Sequence, residues 1–201
     1  MRGKFITLEG MDGAGKSTHI PTIIDALQTR GLQVLSTREP GGTALGEALR
    51  DLLLHQPMHP ETEALLMFAA RREHISEVIE PALASGKYVV SDRFSDASFA
   101  YQSGGRGVLA SKIEQLEAWV HPQLQPDLTI LFDVPVEISL ARLASARSPD
   151  KFEQQSPAFF ARIRDAYLQR AEAAPDRFRV IDGNQPVNLV KQALMKIVAS
   201  I

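Results

Sequence analysis

Gly10 to Ser17 read GMDGAGKS, with an apolar run before them and a helical pattern after them. This is the G-x-x-x-x-G-K-[ST] spacing in the strand–turn–helix setting that a phosphate-binding loop requires. The glycines allow Gly10, Asp12, Gly13, Ala14 and Gly15 to wrap closely enough to aim successive N–H groups at phosphate oxygens. Lys16 would reach the β- and γ-phosphates of a nucleoside triphosphate, and the Ser17 hydroxyl, with Thr18 beside it, would face Mg²⁺. The other reading is a Gly-rich strand–helix turn that only spells the motif. The loop also holds an acid, Asp12, where anions would bind.

Two further segments carry anion-binding chemistry. TREPGGT (37–43) and SDRFSDASFAYQSGGRG (91–107) each place an arginine, Arg38 and Arg93, at a strand end. The planar guanidinium suits bidentate phosphate recognition, so two of them beside the loop suggest a second phosphate group. Alternatively each pairs with a nearby acid, Glu39 or Asp92. In the pattern 61–84, Leu65, Phe68, Arg72, Ile75 and Ile79 share one helical face. Phe68 and Arg72, one turn apart, could stack on a planar base and donate to its carbonyl edge. Otherwise Phe68 is core and Arg72 reaches out to solvent.

These residues must be held by a scaffold. Short β-rich runs at 4–9, 33–38, 87–92, 128–133 and 178–182 alternate with helical patterns at about 15–30, 44–55, 61–84, 111–121, 136–146, 156–174 and 186–200. Such alternation predicts βαβ units and a five-stranded parallel sheet with helices on both faces. Each strand ends on a charged residue, Glu9, Arg38, Asp92, Asp133 or Asp182, at the sheet edge where α/β folds bind ligands.

The bulk composition excludes several classes. With 201 residues, 44% of them hydrophobic, one domain (1–201) with a small mobile part is expected. A net charge of −2 does not suggest a nucleic-acid or membrane binder held by bulk charge. The chain has no cysteine, which excludes disulfides and thiolate metal sites. The start, MRGKFITLEGMD, has only a four-residue apolar run before its acids, unlike a secretory signal. A cytoplasmic protein is expected.

Taken together, the loop with its preceding acid, REPGGT, the F-x-x-x-R pair, DRF…AYQ…GGRG and DKFE (150–153) resemble the thymidylate kinases in order and spacing. The likeness runs essentially from end to end. It implies a nucleoside monophosphate kinase of the doubly wound P-loop NTPase fold, which moves the γ-phosphoryl of ATP to dTMP with Mg²⁺. It also implies that Arg38 and Arg93 hold the acceptor phosphate, Phe68 stacks on thymine and Arg72 bonds its carbonyl. Tyr101 would pack against the deoxyribose, Ser98 and Gln102 would line the base pocket, and Asp12 would accept a hydrogen bond from the 3′-hydroxyl. Members are usually homodimers.

Eukaryotic relatives often carry an arginine directly after the acid of the loop, where this chain has Gly13. The segment ARLASARSPDKFE (141–153) instead resembles the lid of the bacterial class, at about 142–153. Arg147 would fold over the phosphates as a catalytic cation beside Lys16 and Arg93, Arg142 would lie against adenine, and Glu153 could contribute to the metal. Two departures stand out: Ala97 where many relatives have serine, and Lys151 where bacterial relatives have arginine. A deoxynucleoside kinase is the nearest rival, but its acceptor is a hydroxyl, which makes the paired arginines less useful. A GTPase switch would need an N/T-K-x-D element, and the sequence has none.

Overall fold

A computed structural model describes residues 2–144 and 151–201. Its centre is β1 (Phe5–Glu9), FITLE, whose five residues are all buried. A strand apolar on both sides must be covered on both sides, and it is flanked by β3 (Tyr88–Asp92) and β4 (Leu128–Asp133). With β2 (Val34–Arg38) and β5 (Phe178–Asp182), the sheet order is β2-β3-β1-β4-β5 and every pairing is parallel. The chain adds β2 and β3 on one side of β1 and β4 and β5 on the other. The order therefore reverses at β1, and the loop after it opens into the crevice of the switch point.

Three helical segments position the site. The loop runs into α1 (Lys16–Thr29). After β2 come α2 (Ala44–His55), capped by the Thr43 hydroxyl on the Gly46 amide, and α3 (Pro60–His74). The pattern at 61–84 is borne out as one near-continuous stretch, since α3 passes through a π-helical turn, Ile75–Ile79, into α4 (Glu80–Ala84).

The third segment follows β3, where the sequence reading expected no helix. A short α5 (Ser95–Ser98) widens into a π-helical run, Phe99–Gly105. Widened turns of this kind occur often at functional sites. Asp96 anchors it. This fully buried carboxylate accepts bonds from Arg170 (2.8 Å) and Arg177 (2.7 and 2.8 Å), and the Arg170 guanidinium lies 3.9 Å over the Phe99 ring. Burial alone would raise this carboxyl's pKa, but the two arginines hold it below its usual range. Arg170 belongs to α8 (Pro157–Ala173), which packs along the π-helical run. The remaining helices are α6 (Ala110–Val120), α7 (Val136–Ala144) and α9 (Val187–Ala199).

Candidate active site

Two cavities open at the carboxyl edge of the sheet. One, ≈ 1080 Å³, is lined by Gly13, Gly15, Lys16, Ser17, Thr18, Arg38, Asp92, Arg142 and Glu153. The other, ≈ 660 Å³, is lined by Pro40, Leu54, Met67, Arg71, Phe94, Ala97, Ser98, Tyr101, Gln102 and Phe152. Asp12, Glu39, Arg50 and Arg93 line both and form the wall between them.

The loop has the shape that its glycines allow. Gly13 sits at φ +79°, and a Cβ there would lie 2.6 Å from the Ser139 carbonyl oxygen. No side chain fits at that position, arginine included. Gly10 and Ala14 lie behind the cradle, where the Gly10 carbonyl accepts from both Lys16 and Arg93. Lys16 Nζ donates to the carbonyls of Gly10 and Met11, both at 3.0 Å. Burial lowers its pKa, and the charge of Arg93 lowers it further. Arg142 donates to the carbonyls of Gly13 (3.3 Å) and Gly183 (3.1 Å), at the outer lip of the loop.

The wall between the cavities is an ionic knot. Arg93 has a left-handed backbone (φ +73°), a conformation costly for a side-chain-bearing residue and concentrated at functional positions. Its Nη2 donates to Asp12 Oδ1 (2.6 Å) and to the Tyr101 hydroxyl (2.9 Å), and its Nη1 to Gly10 O (3.1 Å) and the Tyr167 hydroxyl (2.9 Å). Tyr101 in turn donates to Asp12 Oδ2 at 2.7 Å. Burial pushes the Asp12 carboxyl up, but the charges of Arg93 and Lys16 outweigh it and bring its pKa to about 2. The acid in the loop is thus already neutralised by a cation from the next strand.

Beneath the knot lies Glu9, which is fully buried. It accepts from the Phe94 amide and the Tyr167 hydroxyl, both at 2.7 Å. Burial, with the nearby charge of Asp96, raises its pKa to about 8, against the opposing pull of Arg93. Arg38 is exposed and pairs with Glu47 at 2.8 Å.

Over Pro60–His74 the structure corrects the register of the sequence reading. Phe68 is 1% exposed, lies in the core parallel to His121 (centroids 6.3 Å apart) and does not line the cavity. Arg72 is exposed and donates to the Val120 carbonyl of α6 (3.0 Å). The residues that face the cavity are Met67 and Arg71, one position earlier. Each step along a helix turns it by about 100°, so a shift of one residue swaps the wall of a cavity for the core behind it. Phe68 instead backs Arg71, whose guanidinium carbon lies 4.5 Å from the ring centroid.

Arg71 is 2% exposed. Its Nε donates to Glu39 (2.7 Å), and its Nη2 to the Phe94 carbonyl and the Ser98 hydroxyl (both 3.1 Å). Nη1 is buried and has no hydrogen-bond partner among the described residues. Ser98, Tyr101 and Gln102 share the cavity face of the segment anchored by Asp96. Gln102 donates to Glu63, a buried acid of α3 that also holds Lys151 (2.9 Å). The sequence reading named Glu39 only as a possible partner of Arg38 and did not single out Arg50, Glu63, Met67, Arg71 or Phe152. Of these, Glu39 and Arg71 carried a readable signal, since a buried arginine and a buried acid in one motif set need each other. Arg147 lies outside the described residues.

The fold and the paired cavities define a nucleoside monophosphate kinase built on the P-loop NTPase fold. Comparison with known proteins gives the family. The Thymidylate kinase family model matches residues 8–194. A thymidylate kinase of Methylobacillus flagellatus is 72% identical over 197 residues, covering 98% of this chain and 97% of the relative. That of Nitrosomonas europaea is 63% identical over 199 residues, covering 98% and 93%. The crystal structure of thymidylate kinase from Ehrlichia chaffeensis superposes with a TM-score of 0.79 at 34% identity, over 99% of both chains. The chain belongs to the thymidylate kinase family, whose members phosphorylate dTMP to dTDP with ATP.

Proposed function

We propose that the smaller cavity takes the nucleoside of dTMP, the larger takes the triphosphate of ATP, and Asp12 and Arg93 stand where the two phosphate chains meet. The observation that carries this reading is Arg71 Nη1, a buried cationic donor with no partner on the wall of the smaller cavity. An unpaired buried N–H of a guanidinium is costly, and a base carbonyl would satisfy it. Met67 then covers the base face assigned to Phe68 in the sequence reading. Ser98 and Gln102 line its edge, and Tyr101 and Asp12 meet the sugar.

The acceptor is a phosphate oxygen, already largely anionic near neutral pH because the second phosphate pKa is about 6. No general base is needed, and the site's task is to bring two anions into line. Lys16, Arg38 and Arg93 supply positive charge around the transfer, and Arg50 stands on the same wall. Arg142, at the loop's lip, is proposed to lie against adenine. Arg147 is proposed as the further cation, brought in by a lid at about 142–153 of the single domain. The impossibility of a side chain at Gly13 favours a cation from elsewhere in the chain.

The site also fits Mg²⁺. Asp92 Oδ1 is buried without a partner, and Asp92 lines the phosphate cavity with Ser17 and Glu153. Among the described residues there is no cluster of three or more His, Cys, Asp or Glu that could hold a metal by itself. That is consistent with Mg²⁺ at a nucleotide, which keeps its waters and takes few protein oxygens besides the phosphates. When bound, the ion would neutralise charge on the transferring phosphates.

We further propose a homodimer formed through α3 and α6. Leu65 (54% exposed), Leu109 (65%) and Trp119 (79%) give this face an apolar surface beyond what an isolated subunit needs. A cytoplasmic location is proposed as well; no helix among the described residues is long and apolar enough to cross a membrane. The test of the site assignment is kinetic. Arg71→Met should raise KM for dTMP by at least about tenfold, the worth of a hydrogen bond to a charged group, while Arg72→Ala leaves it nearly unchanged. The reverse ranking would overturn the assignment.

A further inference from the structure

Behind Arg71 runs a buried chain of polar groups that reaches the wall of the two cavities only through Glu39. Glu39 grips Arg71 Nε with Oε2 (2.7 Å) and meets His74 Nδ1 with Oε1 (3.0 Å). His74 is 0% exposed, and its Nε2 lies 2.6 Å from the Thr37 hydroxyl. Burial opposes ionisation of Glu39, but the charge of Arg71 and the bond from His74 outweigh it and hold the carboxyl below its usual range. With Glu39 ionised, His74 must donate from Nδ1, so in its neutral form Nε2 accepts from Thr37. The directions Thr37→His74→Glu39←Arg71 are then all determined.

The turn is built around this chain. A Cβ on Gly42, the second glycine of PGGT, would fall 2.6 Å from the His74 ring and 2.9 Å from Thr37 Oγ1. The motif that looked like a phosphate turn is therefore also the lid over an imidazole.

We propose that His74 and Thr37 are positioning residues for base selection: they hold Glu39, which aims Arg71 Nη1 at the base edge. This rests on the reading of Arg71 as the group that meets a base carbonyl. An arginine N–H pointed at that edge donates to a carbonyl oxygen and disfavours an amino group, which is itself a donor. A guanidinium free to swing loses that choice before it loses its charge. The discrimination at stake is between thymine and a 4-amino pyrimidine, and the clean probe pair is dTMP against 5-methyl-dCMP.

Affinities for both monophosphates, measured by calorimetry, and KM for ATP test the proposal on four variants. His74→Leu should reduce the dTMP preference about tenfold, as expected for loss of a charge-assisted hydrogen bond, with ATP KM within about twofold. His74→Asn, whose amide can still donate towards Glu39, should restore most of the preference. Thr37→Val should move it in the same direction as His74→Leu by a smaller factor, and serves the test if His74→Leu does not fold. An unchanged preference in folded His74→Leu or in Thr37→Val overturns the proposal, as does an equal loss of affinity for both monophosphates. Arg71→Met separates the two layers. If it too leaves the preference intact, the base-reading assignment of Arg71 is wrong; if it alone lowers the preference, only the positioning chain is wrong.

Discussion

Glu9 offers a quantitative test of how the site stores charge. Its pKa rises from 4.5 in the unfolded chain to about 8 in the fold. The folded protein therefore keeps a proton that the unfolded chain releases between those two values. Across that window stability falls as pH rises, by about 1.4 kcal/mol per unit, because the unfolded state binds fewer protons. The full span of 3.5 units corresponds to a loss of about 5 kcal/mol. Glu9→Gln is neutral at every pH and can still accept from the Phe94 amide. From pH 5.5 to 7.5 the variant should gain about 3 kcal/mol on the parent, roughly 6–12 °C in Tm for a chain of this size. Thermal unfolding of both proteins without nucleotide, from pH 5 to 9, measures the difference and cancels groups common to the two. A Tm difference that stays flat or shrinks with pH would refute a protonated Glu9.

Three further outcomes follow from the geometry. Phe68→Ala should destabilise the fold by about 3–5 kcal/mol in chemical denaturation, as for other buried aromatics, whereas Met67→Ala should chiefly raise KM for dTMP. Asp12→Ala should cost less affinity for a 3′-deoxy analogue of dTMP than for dTMP itself; equal losses in a direct titration would remove the sugar contact. Trp119→Glu should leave thermal stability of the subunit within about 0.5 kcal/mol, as for exposed positions, yet convert a dimer to a monomer in sedimentation.

The parts of the molecule that were readable in its sequence are those specified locally. KFITLE and LTILFD announce buried parallel strands because their interiors are short runs of apolar and β-branched residues with charge only at the ends, and GMDGAGKS announces its loop because the geometry needs glycine and lysine at fixed offsets. The cavity-facing pair of α3 was misplaced because periodicity gives the spacing of a helical face and not its phase. Phe68 with Arg72 and Met67 with Arg71 satisfy the same i, i+4 rule. What separates them is Glu39, 32 residues upstream, which draws Arg71 inward. Ser95–Gly105 hid its helical character behind two glycines and a serine. It is helical because Asp96 is clamped by Arg170 and Arg177, and such long-range ion pairs leave no local trace.

On the proposed placement of the substrates, Arg93 is a resource that the two nucleotides share. All four of its η N–H groups are already committed, two of them to Gly10 and Asp12 of the loop that cradles the donor. A phosphate that draws on an η N–H of Arg93 from the acceptor side must displace one of these four bonds, two of which hold the loop and two the hydroxyls of Tyr101 and Tyr167, and one arriving from the donor side meets the same cation. Binding at one site therefore changes the terms of binding at the other. Thermodynamic linkage makes the exchange reciprocal: whatever factor ATP imposes on dTMP affinity, dTMP imposes on ATP. Loading order is irrelevant to the final ternary balance in any such protein; what the shared guanidinium adds is that each half-filled state has its own affinity for the second substrate.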